Sequence, residues 1–190
     1  MNVIGFSGSP RANGNTAWAV GQLLEGAKQA GAETVLLKSG DIEIKPCKGC
    51  LGCKNGGGCV QKDDMRTVYD LLKTADALVI GSPIYMGQMS AQAKAFTDRL
   101  YAQISPRFSP MFKEENAGKK LILIFTQGNP DRGKFMAYVD YTAQMFKMLE
   151  FDVKDVIVVA GARSEAAKDM HGLKESLLTA GAKLYEDKQK

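Results

Sequence analysis

The chain has 190 residues, which suits one domain and can bury a substantial core without disulfides or metals to hold it. Charged residues make up 24%, and the net charge of +4 comes from scattered lysines and arginines, which argues for a mixed, solvated surface and against a nucleic-acid patch. The longest apolar runs, Leu121–Phe125 and Val156–Ala162, fall far short of the roughly 20 residues that span a membrane, and Met1–Phe6 carries no positively charged leader, so a cytoplasmic protein with no membrane partner is expected.

Short apolar runs alternate with amphipathic stretches along the chain. Asn2–Ser7 reads as a first strand, and Asn15–Ala30 as a helix with Trp18, Leu23, Leu24 and Ala27 near helical spacing, ended by Gly31. Thr34–Lys38 is a second strand. Residues 39–62 form a long, Gly-rich, irregular connection that holds all four cysteines, and a connection of that kind is usually functional. Asp64–Thr74 reads as a helix with Asp63 as its N-cap, Ala77–Gly81 as a strand and Ser90–Ile104 as a helix. Lys120–Thr126 is uniformly apolar, as expected of a strand covered on both faces. Phe135–Leu149, Val153–Ala160 and Lys174–Glu186 complete the series as helix, strand and helix.

Strict alternation of this kind implies an α/β fold: a three-layer, doubly wound parallel sheet of five strands in the order 2-1-3-4-5. In that order the topology reverses between the first and third strands, and ligands bind at their carboxyl ends. The segments after Ser7 and after Ile80 therefore matter most.

Ser7-Gly8-Ser9-Pro10-Arg11-Ala12-Asn13-Gly14-Asn15-Thr16 is rich in hydroxyls and glycine and opens into a helix. A helix N-terminus presents free N–H groups and the positive end of a dipole, which suits phosphate. Ser9, Asn15 and Thr16 add side-chain hydrogen bonds and Arg11 adds charge; a plain turn capped by Asn13 or Asn15 is the bland alternative. The sequences G-x-x-x-x-G-K-[ST] and G-x-G-x-x-G are both absent, which disfavours a nucleotide hydrolase and a tightly held dinucleotide. Gly81-Ser82-Pro83-Ile84-Tyr85-Met86-Gly87 reads as a tight loop able to line a flat ring system. Thr126-Gln127-Gly128-Asn129-Pro130 could close over the same ring, through Thr126 and Gly128.

Cys47, Cys50, Cys53 and Cys59 form the pattern C-x₂-C-x₂-C-x₅-C. In a reducing compartment a cluster of this kind points to metal or redox chemistry rather than to a disulfide framework. Four closely spaced thiolates with flexible, Gly-rich intervals suit a [4Fe–4S] cube. The last interval differs from the ferredoxin run, and zinc or empty thiols stay open. His171, the only histidine, reads as a surface residue, which argues against Ser–His–Asp or Cys–His catalysis. Lys94, Asp98 and Arg99 read as structural pairs or an oligomer contact on the third helix, and Met145 and Met148 as core filling. A phosphorylation receiver would need acidic residues where the chain has Phe6-Ser7-Gly8 and Ile80-Gly81-Ser82.

Taken together, SGSPRANGNT, GSPIYMG and TQGNP resemble the NADPH-dependent FMN reductase branch of the flavodoxin-like superfamily. PCKGCLGCKNGGGC followed by DDM resembles the iron–sulfur flavoproteins within it. The resemblance covers Met1 to about Ala160. It implies residues 1–190 as one flavodoxin-like FMN-binding domain with a cysteine-rich insertion at about 39–62. FMN would place its phosphate on Ser9, Arg11, Asn15 and Thr16 and its ring against Pro83, Ile84, Tyr85, Met86 and Gly87. The resemblance also implies a cluster on all four cysteines and a homodimer or dimer of dimers. The activity expected is that of a flavin-dependent oxidoreductase in electron transfer, with a ferredoxin-like donor or a quinone acceptor. A cluster-free NAD(P)H-dependent FMN or quinone reductase is the alternative.

Overall fold

The run at Lys120–Thr126 is buried along nearly its whole length because it lies inside a sheet with helices on both sides. In a computed structural model, which describes residues 1–56, 58–104 and 118–186, the elements follow in the expected order. They are β1 (Asn2–Ser7), α1 (Asn15–Gln29), β2 (Glu33–Lys38), α2 (Met65–Thr74), β3 (Ala77–Tyr85) and β4 (Gln88–Met89). After these come α3 (Ala91–Arg99), β5 (Lys120–Thr126), α4 (Met136–Met148), β6 (Asp152–Val159) and α5 (Leu173–Glu186).

The parallel strands lie in the order β2-β1-β3-β5-β6, so the five strands read from the sequence take their expected places. The sheet has a sixth strand that the sequence reading lacks, because β3 does not stop at Gly81. It runs on to Tyr85 and folds back, so that β4 pairs with it antiparallel through Ile84–Met89 and Tyr85–Gln88. Strand alternation divides the core. Phe6, Ile80, Leu121, Leu123 and Phe125 face α2, α3 and α4, where they meet Met65, Phe96 and Phe146. Val3, Val79, Ile122 and Ile124 face the other way, against Leu23 and Leu24 of α1 and Leu177 and Leu184 of α5. Phe6 and Phe96 stack with ring centroids 4.0 Å apart, fixing α3 over β1.

Three local expectations are corrected. The helix expected over Ser90–Ile104 stops at Arg99 and continues as a tighter turn over Leu100–Gln103. Asp63 is not the N-cap of α2; that position is Asp64, and the Asp63 carboxylate turns inward instead. Met148 is 67% exposed rather than part of the core, while Met145 packs against it. Among the described residues no helix is long and apolar enough to cross a membrane.

Candidate functional site

The loop that leaves β1 is held from three sides. Gly8 N–H donates to the Gly81 carbonyl at 2.8 Å, the Ser90 hydroxyl donates to the Gly8 carbonyl at 2.5 Å, and the Ser39 hydroxyl donates to the Ser9 carbonyl at 2.9 Å. A Cβ on residue 8 would lie 2.5 Å from the Ala93 Cβ, so the chain passes the start of α3 only because it has no side chain there. Helix α1 then opens from Gly14 with no side-chain cap. Neither Asn13 nor Asn15 caps it. The Asn15 amide reaches across the top of the sheet instead, donating to the Ala162 carbonyl at 2.8 Å and accepting from Ala167 N–H at 2.9 Å. The first-turn N–H groups of α1 thus receive no side-chain cap.

These residues line a cleft of about 190 Å³ at the carboxyl ends of β1, β3 and β5. Ser9, Arg11, Asn15, Thr16, Pro83, Ile84, Tyr85, Thr126 and Gly128 all reach it, so three loops far apart in the sequence meet there. The Thr16 and Thr126 hydroxyls lie 2.7 Å apart across its buried floor. The sequence reading missed Gly14, Gln127, Ala162 and Arg163. Gln127 stood within a quoted loop motif, whereas Arg163 lies beyond the last strand in a stretch without a motif. The Gln127 amide donates to the Asn129 and Asp131 carbonyls, and its own oxygen is buried without a partner among the described residues.

Met86 and Gly87 do not line the cleft. They form the two-residue tip of the β3–β4 hairpin, with φ of 49° and 83°. Both central residues of such a turn take positive φ to follow the twist of the strands, which throws the Met86 side chain fully into solvent. Tyr85, one residue earlier, stays at the cleft and is 46% exposed.

The cysteine loop enters at Lys45-Pro46 and leaves at Gln61-Lys62-Asp63. One buried ion pair closes its neck: Arg99 grips the Asp63 carboxylate through both terminal nitrogens at 2.6 and 2.9 Å, the side chains being 1% and 0% exposed. The same guanidinium donates to the Lys45 carbonyl, and Lys45 N–H donates to Asp63. Gln61 donates to the Pro46 carbonyl at 3.1 Å. Beyond the neck, Lys54 donates to the Tyr101 and Ile104 carbonyls and lies over the Tyr101 ring. Cys47 and Cys50 are exposed, Cys53 and Cys59 half-buried, and all four are free thiols. Among the described residues no three of His, Cys, Asp and Glu are grouped to hold a metal ion.

Burial pushes the Asp63 carboxyl up, but the Arg99 hydrogen bonds and charge, with the N–H groups of Lys45 and Met65, hold it below its ordinary value. The Tyr69 phenol is pushed well above its ordinary value, chiefly by burial. Its hydroxyl donates to the Arg99 carbonyl at 2.8 Å. Lys94 pairs with Asp98 at the surface, as the spacing suggested, whereas Arg99 does not join them.

The sequence pattern of the family described as NADPH-dependent FMN reductase matches residues 1–162. An iron–sulfur flavoprotein of Methanocaldococcus jannaschii is 43% identical over 99 residues, covering 52% of this chain and 51% of the relative. One of Methanosarcina thermophila is 40% identical over 99 residues, covering 52% of each. The chain spans about half the length of the curated relatives it matches. Among solved structures, a flavone reductase superposes with a TM-score of 0.72 at 19% identity, covering all of this chain and 64% of its own. An NAD(P)H:quinone oxidoreductase from Methanothermobacter marburgensis superposes with a TM-score of 0.70 at 13% identity, covering all of this chain and 98% of its own.

Proposed function

The chain belongs to the NADPH-dependent FMN reductase family, and from that membership we propose that it is an FMN-dependent oxidoreductase working in electron transfer, with a [4Fe–4S] cluster on Cys47, Cys50, Cys53 and Cys59. The observation that carries the flavin assignment is the convergence at one cleft of Arg11, Arg163 and the uncapped start of α1. Two guanidiniums and free helix N–H groups suit a phosphate. At about 190 Å³ the cleft is smaller than the roughly 300–1,000 Å³ of sites that enclose a whole drug-sized ligand. It therefore fits the phosphate and polyol, and the ring would lie over the rim against Pro83, Ile84 and Tyr85.

Bound FMN supplies hydride and single-electron chemistry. The chain's part is to hold it. Arg11 and Arg163 balance phosphate charge, Thr16 and Thr126 set the floor, and the Gly128 loop leaves backbone groups at the cleft. The donor set of the cysteine segment fits a cluster: four unpaired thiols, two of them exposed, on a loop whose neck is already closed. NAD(P)H, a ferredoxin-like donor or a quinone would be the redox partner, acting on a homo-oligomer.

The test is iron, acid-labile sulfide and FMN content with an absorption spectrum on anaerobically purified protein. About four irons and four sulfides per FMN are expected, and Cys50→Ala should remove the iron and keep the FMN. Full iron content in Cys50→Ala would overturn the cluster. A second reading, the cluster-free NAD(P)H-dependent FMN or quinone reductase, is favoured by the spread of the cysteines in the described residues. Quinone turnover with NAD(P)H by iron-free protein would select it.

A further inference from the structure

Two serines outside the cleft hold the backbone of the loop that leaves β1. Ser90 is fully buried and is the N-cap of α3, its oxygen accepting from Ala93 N–H at 3.1 Å. The cap uses only a lone pair, and a hydroxyl also has one proton to give. That proton goes to the Gly8 carbonyl at 2.5 Å. Ser90 N–H donates to the buried Ser82 hydroxyl at 3.0 Å, which donates in turn to the Pro83 carbonyl at 2.9 Å. Ser39 stands half-buried one residue beyond β2. Its N–H donates to the Ser7 carbonyl and its hydroxyl to the Ser9 carbonyl, both at 2.9 Å. The successive carbonyls of Gly8 and Ser9 are thus engaged by two side chains that do not line the cleft, although Ser9 itself does.

We infer that Ser90 and Ser39 are positioning residues for the phosphate end of the flavin: by holding the Gly8 and Ser9 carbonyls away from the cleft, they keep this loop receptive to an anion. The inference rests on the flavin reading given above. A carbonyl oxygen carries partial negative charge, so a loop that receives phosphate turns N–H groups toward the anion and carbonyls from it. In a planar trans peptide the C=O and N–H bonds point in opposite directions, so fixing the Gly8 carbonyl on Ser90 turns Ser9 N–H away from α3. The next peptide ends in Pro10, which has no N–H, so there the Ser39 bond serves only to keep a carbonyl out. Gly8 N–H is itself held by the Gly81 carbonyl, which fixes this residue at both ends. Through Ser82 the same buried contacts reach Pro83, on the rim where the ring would lie. Ser90 is sealed from water, whereas water can reach Ser39, so Ser90 has the larger effect of the two.

The experiment titrates the full chain, stripped of flavin, with FMN and with riboflavin, which lacks the phosphate. Four forms are compared: wild type, Ser90→Ala, Ser39→Ala and Ser39→Thr. Wild type is expected to bind FMN more tightly than riboflavin. Ser90→Ala should lose about tenfold in FMN affinity and Ser39→Ala about threefold, as befits one buried and one half-buried hydrogen bond. Riboflavin affinity should not change in either. Ser39→Thr keeps the hydroxyl and should restore the wild-type affinity for FMN. A merely structural role would weaken both flavins together, and that result would overturn the inference. So would an unchanged preference for FMN in both alanine variants. If Ser90→Ala, which also loses the cap of α3, does not fold, Ser39→Ala and its threonine rescue decide by themselves. A wild type that binds the two flavins equally, or neither, would instead overturn the placing of the FMN phosphate on this loop, and the inference with it.

Discussion

The hydroxyls of Thr16 and Thr126 lie 2.7 Å apart on the floor of the cleft, joining the first turn of α1 to the last residue of β5. Both residues are nearly inaccessible, at 1% and 5% exposure, so each hydroxyl depends on the other. Replacing one with Val leaves a buried hydroxyl alone, which costs about 1–3 kcal/mol, whereas replacing both is close to neutral. Urea denaturation of Thr16→Val, Thr126→Val and the double variant should show that non-additivity. If the pair also sets the floor for phosphate, the double variant will keep its stability and still bind FMN less tightly in a fluorescence titration.

Arg11 and Arg163 approach the cleft from loops on opposite sides of the molecule's sequence, one after β1 and one after β6. Charge-assisted hydrogen bonds contribute about 1.5–3 kcal/mol, so Arg163→Ala should weaken FMN binding by roughly 10- to 100-fold. Riboflavin, which lacks the phosphate, should bind the variant and the wild type alike. Equal losses for FMN and riboflavin would remove Arg163 from a phosphate role.

The Asp63 carboxyl is held below its ordinary value in the folded chain, so it binds its proton less readily there than when unfolded. Its contribution to stability is therefore fully present above the unfolded value, about 3.9. It is lost as pH falls through the lower folded value. Thermal melts should show a component that is flat from pH 7 to about 4 and declines in stronger acid. Asp63→Asn should abolish that component and, by leaving Arg99 buried without its partner, cost about 3–5 kcal/mol at neutral pH. A variant with the same acid profile as wild type would show that the ion pair does not carry it.

Met86 holds φ 49° at the tip of the β3–β4 hairpin, a conformation that suits Asn or Gly better than an unbranched apolar side chain. Met86→Asn should therefore raise stability, by up to about 1 kcal/mol, in chemical denaturation. Unchanged FMN affinity in that variant would confine Met86 to the turn. A drop in affinity would give its exposed side chain a place over the ring.

The family pattern and the order of strands were legible from residues alone. Alternation of apolar runs with helical stretches dictates a parallel sheet, and its reversal point between β1 and β3 dictates where a ligand sits. Ser9, Arg11, Thr16, Tyr85 and Thr126 could be picked out for that reason and do meet at one cleft. Asn15 could be named but not assigned. Its amide is spent on residues 162 and 167, more than 140 positions away, and nothing local announces such a bond. Met86 was read within a loop because a strand that overruns its sheet looks like a loop until the return strand is seen. Asp63 and Arg99 read as an N-cap and as a member of a helix pair or oligomer contact, since their neighbours in sequence offer those roles. Only the packing of α3 against the cysteine loop removes both charges from water, and once there each has no better partner than the other.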